Sequence, residues 1–199
     1  MIIKYDNSIC PPISKNIYLP PTQDIAWIQI PKCGTSTMRS LWDWETQSAT
    51  GKYKDMKRLV ILREPYERWL SAVVEALNPK PEKNKPDMAK IEERFHTWDL
   101  FRGTTDRHLY PQARFCNNLD IDNAIFIWLD ELEDKLPLVF PGVEVPHLRK
   151  GNAQNKNMVR EFVLDKVEKK IVLYKSCVRI DYVEDYILLE YLREKHLFL

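Results

Sequence analysis

Within six consecutive positions, Lys32-Cys33-Gly34-Thr35-Ser36-Thr37, stand a cationic side chain, a glycine and three hydroxyls, placed between an apolar run and an amphipathic one. Backbone N–H groups at such a junction lack helical partners, and they point the same way as the positive end of the helix dipole. Gly34 lets the backbone turn close to a ligand, Lys32 adds a full charge, and Thr35, Ser36 and Thr37 add hydroxyl donors. The chemistry is anion binding, and the expected ligand is a phosphate or a phosphate-like group. A second cation, Arg63, closes the run Arg58-Leu59-Val60-Ile61-Leu62, and Ser71 follows eight positions later. A guanidinium makes two-pronged, charge-assisted contacts with phosphate, and a serine on the first turns of a helix adds a hydroxyl. The plainer alternative is a surface pair of Arg63 with Glu64 or Glu67. Histidines such as His108 carry imidazole, the side chain whose ordinary pKa suits proton removal near neutrality, and can act as a base. His96 is a second such residue, Glu45 and Glu64 are the fallbacks, and a purely structural His108 stays open.

These residues need elements to hold them. Ile25, Trp27, Ile28 and Ile30 form an apolar run suited to a buried strand, and a helical pattern takes over from about Met38. The second junction repeats the plan. Strand 58–62 ends at Arg63, Pro65 suits the first turn of a helix, and Leu70, Val73, Val74 and Leu77 recur at helical spacing. A third strand is expected at Ala124–Leu129, with acidic residues 130–134 opening a short helix, and two amphipathic helices are expected at 158–174 and 183–194. In the first of these, Phe162, Val163, Val167 and Ile171 are the inward-facing set. Strands separated by helices imply a parallel sheet, and ligands of open α/β sheets sit at the carboxyl ends of the strands.

With 199 residues and 44% hydrophobic content, a single domain spanning 1–199 is expected, with 1–23 as an irregular, proline-bearing arm and 78–94 as an exposed insertion running into a helix near Met88. Thirty basic against 29 acidic residues leave a net charge of +1, which argues against a nucleic-acid partner recognised through bulk charge. The scattered Trp and Tyr residues suit core packing. Cys10, Cys33, Cys116 and Cys177 form no CxxC pair, so no zinc site or disulfide framework is indicated and a reducing compartment is the plain reading. No run approaches a membrane span, so a cytoplasmic protein without a membrane partner is expected.

A nucleotide-triphosphate P-loop reads GxxxxGK[ST], with lysine after the last glycine, whereas here Lys32 precedes Gly34. The order PKxGT followed by hydroxyl residues resembles the 5′-phosphosulfate loop of sulfotransferases, which use 3′-phosphoadenosine 5′-phosphosulfate (PAPS) as donor. Arg63 and Ser71 are spaced as in the 3′-phosphate segment of that family. His108-Leu109-Tyr110-Pro111-Gln112 resembles the H-x-x-P-Q segment of its carbohydrate-type members. Arg149-Lys150-Gly151 resembles the RKG triplet of cytosolic members, closing over the 3′-phosphate, although a bland basic loop fits those residues equally well.

The resemblance implies a three-layer, P-loop NTPase-like α/β fold with a central parallel sheet flanked by helices. It also implies sulfuryl transfer to a hydroxyl or amine acceptor, a small molecule or a carbohydrate, with adenosine 3′,5′-bisphosphate as product. Lys32 and His108 would carry catalysis. Lys32, Cys33, Gly34, Thr35, Ser36, Thr37, Arg63, Ser71, Arg149, Lys150 and Gly151 would hold the nucleotide. No metal is expected, since a cation already stands where magnesium would in a kinase. The chain is short for the family, which leaves room for acceptor-binding elements borrowed from a second subunit of a homo-oligomer. A nucleotide kinase and a non-catalytic nucleotide-binding module are the alternatives.

Overall fold

The computed structural model describes residues 17–20, 24–42, 45–46, 56–78, 86–98, 100, 106–146 and 153–199. Its strands are β1 (Ile17–Leu19), β2 (Ile25–Ile28), β3 (Glu45–Thr46), β4 (Lys57–Leu62) and β5 (Ala124–Trp128). Its helices are α1 (Thr35–Leu41), α2 (Pro65–Leu77), α3 (Met88–Thr97), α4 (Gln112–Phe115), α5 (Leu132–Val139), α6 (Ala153–Glu168), α7 (Ile171–Asp181) and α8 (Val183–Glu194). The chain divides into two compact units whose segments interleave: residues 1–63, 112–148 and 184–199 form the first, and residues 64–111 and 149–183 the second.

The first unit holds the sheet, in the order β3-β1-β2-β4-β5. β2, β4 and β5 run parallel, with Ile28 beside Val60 and Leu62 beside Trp128. Leu59, Val60, Ile61 and Leu62 are all buried. Successive side chains point to opposite faces, so an unbroken buried run is what a central parallel strand requires. The expected parallel α/β core is therefore present, with two additions. β1 pairs antiparallel with both β2 and β3, and Tyr18 lies opposite Trp27 with the ring centroids 5.2 Å apart. Part of the arm expected to be irregular is thus a strand. Its three residues lie too close to Pro11, Pro12, Pro20 and Pro21 to show a period of their own, and they are ordered by pairing with β2. At the other edge, the Leu199 N–H donates to the Phe126 carbonyl at 3.0 Å, and Phe198 stacks on Trp128 at 4.7 Å, covering backbone that would otherwise face solvent.

The second unit packs around Trp69 of α2, whose indole N–H donates to the Leu100 carbonyl at 2.9 Å and whose ring stacks on Tyr174. Ile91 and Phe95 of α3 are buried in the same core. The helix expected near Met88, at the end of the 78–94 loop, is thus α3, begun by Asp87 accepting from the Lys90 N–H and anchored in the core; residues 79–85 lie outside the described set. The helix expected at 158–174 is broken at Lys169-Lys170 into α6 and α7. Val159, Val163 and Val167 are buried at i, i+4 spacing, but Ile171, the next position in that series, is exposed. The break resets the phase, so that Val178, four residues beyond half-buried Tyr174, and then Tyr182 face the core.

Candidate functional site

The loop that leaves β2 is wound tightly. The Cys33 N–H and the Thr35 hydroxyl both donate to the Ile30 carbonyl, each at 3.2 Å, and the Met38 N–H donates to the Gly34 carbonyl at 2.9 Å to open α1. α1 starts at Thr35 rather than at about Met38, because Gly34 serves as its N-cap in the left-handed region, with φ 73°. A side chain at Gly34 would meet Leu129 Cδ1 at 3.0 Å and Leu132 Cδ2 at 3.2 Å, so both the backbone angle and the close approach demand glycine. Lys32 is left-handed too, with φ 69°. For a residue with a Cβ this costs about 1–2 kcal/mol. Such strain persists where the surroundings over-determine the conformation. Here the next side chain, Cys33, is fully buried and its thiol donates to Gln112 Oε1 at 3.1 Å.

Gly34, Thr35 and Thr37 are half-buried and Ser36 is exposed. The Thr35 hydroxyl is aimed inward at Ile30, the Cys33 N–H is used inside the loop, and the Cys33 thiol is used on Gln112. The outward donors of this stretch are therefore fewer than its composition suggests. Lys32 follows the carboxyl end of β2 and Arg63 the carboxyl end of β4, and these strands are hydrogen-bonded parallel neighbours. Adjacent strands lie about 4.8 Å apart. Both cations thus leave one edge of one sheet.

In the second unit, Ser71 sits half-buried on the second turn of α2, a helix begun by Glu64, whose carboxylate accepts from the Glu67 N–H at 2.8 Å. Glu64, one of the fallback bases, is thereby occupied as a cap. His108 lies in a single 3-10 turn, Arg107–Leu109, where Asp106 holds it twice: Asp106 Oδ1 is 2.8 Å from the His108 N–H and 2.6 Å from Nδ1. An ionised carboxylate only accepts, so Nδ1 carries the proton and Nε2 is left as the basic nitrogen. Burial pushes the Asp106 carboxyl up, but the side-chain and backbone hydrogen bonds from His108, with the charges of His108 and Arg107, outweigh it and hold the group below its ordinary value.

The backbone around His108 is fixed as well. Buried Arg68 donates to the carbonyls of His108, at 2.9 Å, and Tyr110, while the Tyr182 hydroxyl donates to the carbonyl of Leu109 between them. By contrast, His96 is an exposed residue of α3 packed edge-on against Phe95. Arg149, Lys150 and Gly151 lie outside the described residues, as does the side chain of Glu45.

Asp106, Arg68 and Asp185 are the participants that pattern reading missed, and Gln112 stood there only as the last residue of the H-x-x-P-Q segment, with no role of its own. Asp106 had a local signal, an acidic residue capping a short turn. The others act across long stretches of chain. Among the described residues no group of three or more metal-ligating side chains occurs, and no helix is long and apolar enough to cross a membrane.

Comparison with curated proteins and with solved structures found no match. A family model does match, that of the sulfotransferase family, over residues 15–176, which include β1 to β5, the Lys32 loop, Arg63, Ser71 and the His108 turn. With most of its length matched and a mostly parallel α/β sheet carrying the loop that the match includes, the chain belongs to the sulfotransferase family.

Proposed function

We propose that this transferase moves a sulfuryl group from PAPS to a hydroxyl or amine acceptor, carbohydrates included, within the cytoplasm. The observation that carries the proposal is the placement of Lys32 and Arg63 just beyond the carboxyl ends of neighbouring parallel strands. The loop suits a phosphate: Gly34 keeps the backbone bare, and the first turn of α1 has no side-chain cap on its N–H groups and no acidic residue to repel an anion.

When bound, PAPS would supply an activated sulfuryl group, transferred from its phosphate oxygen to the acceptor's oxygen or nitrogen. Lys32 neutralises the charge left on the departing phosphate oxygen. The N–H groups of the loop, with Ser36 and Thr37, hold the 5′-phosphate, and Arg63 with Ser71 hold the 3′-phosphate. His108 takes the acceptor proton on Nε2 while Asp106 holds Nδ1–H and faces the positive charge that forms on the ring. Free thiols at Cys33, Cys116 and Cys177 support a reducing compartment.

The test is calorimetric titration of the protein with adenosine 3′,5′-bisphosphate, adenosine 5′-monophosphate and magnesium-ATP. Binding of the bisphosphate at least about tenfold tighter than either competitor is expected from one additional charge-assisted contact. Magnesium-dependent ATP binding that exceeds it would point to phosphoryl transfer instead.

A further inference from the structure

Arg63 is held by its backbone, and the group that holds it belongs to neither of the two predicted phosphate sites. β4 ends at Leu62, and the next peptide edge is met by the side chain of Gln112, the first residue of α4. Gln112 Oε1 accepts the Arg63 N–H at 2.8 Å, and Gln112 Nε2 donates to the Arg63 carbonyl at 2.7 Å. A carboxamide donates from its nitrogen and accepts on its oxygen, as the peptide group of a strand neighbour would. The same carboxamide reaches two further partners. Its oxygen accepts from the Cys33 thiol at 3.1 Å, and its nitrogen lies 3.4 Å from Asp185 Oδ2, while Asp185 Oδ1 accepts from the Ala113 N–H at 2.8 Å. Gln112, Asp185 and Cys33 are all buried. A buried amide whose donor and acceptor are both used fixes one geometry, because every alternative leaves a polar group unpaired.

We infer that Gln112 is a positioning residue for the nucleotide: it extends β4 by one residue so that Arg63 leaves the sheet at a set angle toward the 3′-phosphate. Through the Cys33 thiol it also holds the Lys32 loop in register with that arginine. The inference rests on the functional reading above and adds to it the residue that joins the two anion sites. Its consequence is selectivity: losing the carboxamide removes both hydrogen bonds to the Arg63 backbone but only one thiol contact to the loop, so it weakens the grip on the 3′-phosphate more than the grip on the 5′-phosphate.

Gln112→Met keeps length and burial and removes both hydrogen-bonding functions. Calorimetry with adenosine 3′,5′-bisphosphate and adenosine 5′-monophosphate on wild type, Gln112→Met and Arg63→Ala reads the ratio of the two affinities, with thermal melting recorded alongside. The expected result is a wild-type preference for the bisphosphate of about tenfold or more, reduced in Gln112→Met nearly to the Arg63→Ala ratio, with monophosphate affinity falling less than bisphosphate affinity. A retained preference, or an equal loss for both ligands, overturns the inference. Wild type with no preference overturns the functional reading itself.

An NMR titration of the wild-type protein reads the same link without relying on a folded variant. The Gln112 carboxamide and Arg63 amide signals should move further with the bisphosphate than with the monophosphate. Equal movement with both, or none with either, counts against the inference.

Discussion

The loop after β2 and the turn at 106–110 hold their functional groups by opposite means. In the loop, inward-facing side chains do the anchoring and the first-turn N–H groups carry no side-chain cap: Cys33 is buried against Gln112, the Thr35 hydroxyl is turned back on Ile30, and Leu129 and Leu132 back Gly34. In the turn the arrangement is reversed. The carbonyls of residues 108 to 110 are tied down by Arg68 and Tyr182, and the groups left for chemistry are the side chains of His108 and Asp106, 29% and 24% exposed. An anion that stays bound is best met by fixed dipoles that cost no rearrangement. A proton that must come and go is best met by a side chain in partial contact with water. The first region should therefore be sensitive to shape, and the second to the identity of one side chain.

The largest effect separates the two regions by activity. Removing a general base typically costs about 10²–10⁴-fold in turnover, so His108→Ala should lose that much and keep its affinity for adenosine 3′,5′-bisphosphate. Lys32→Ala should lose about 10²–10³-fold in turnover, the usual cost of removing one electrostatic stabiliser, with a much smaller fall in nucleotide affinity because the loop N–H groups remain. Initial-rate kinetics beside equilibrium binding reads both. If His108→Ala abolished nucleotide binding, the division between an anion-holding loop and a proton-handling turn would fail.

A middle-sized effect tests shape alone. Gly34→Ala places a Cβ at φ 73°, 3.0 Å from Leu129 and 3.2 Å from Leu132, without altering charge. The left-handed angle costs about 1–2 kcal/mol, and the leucine tips can yield part of the remaining overlap. For a chain of this size each kcal/mol lowers Tm by about 2–4 °C. Melting should therefore fall by several degrees, and affinity for adenosine 5′-monophosphate should fall with it. An unchanged Tm would mean that the loop is less tightly specified than its contacts imply.

How far the sequence disclosed these regions follows the same division. β2, β4, β5, α2 and α8 are continuous in the chain and repeat at their own period, so the strands are legible to within two residues and α8 to its observed ends. The Gly34 turn is legible because one residue type carries its requirement. Strand β1 is not, because three residues show no period and owe their order to β2. The reset between α6 and α7 is hidden because Ile171 continues the apolar series of α6 and only the packed core rejects it. Asp106 stands two residues from His108 in plain view, but an i, i+2 pair meets only if the chain makes a 3-10 turn there. The contact between Gln112 and Asp185 spans 73 positions and leaves no local trace.

The smallest effect lies in the acid stability of the turn. The Asp106 carboxyl is held below its ordinary value despite the upward push of burial, because its charged form accepts two hydrogen bonds from His108. A depressed carboxylate stabilises the fold fully above its unfolded value and loses that contribution as pH falls through the lowered one. Wild type should therefore shed stability below about pH 4, the ordinary aspartate range, and Asp106→Asn should not shed that part. Because both side chains are partly solvated, screening limits the difference to less than about 1 kcal/mol. Urea melts of the two proteins at pH 7 and pH 3 measure it as a gap in stability that narrows on acidification. A gap that stayed constant would mean that Asp106 acts in the turn through its shape, as Asn would, and that its charge is reserved for the imidazolium formed when His108 takes a proton.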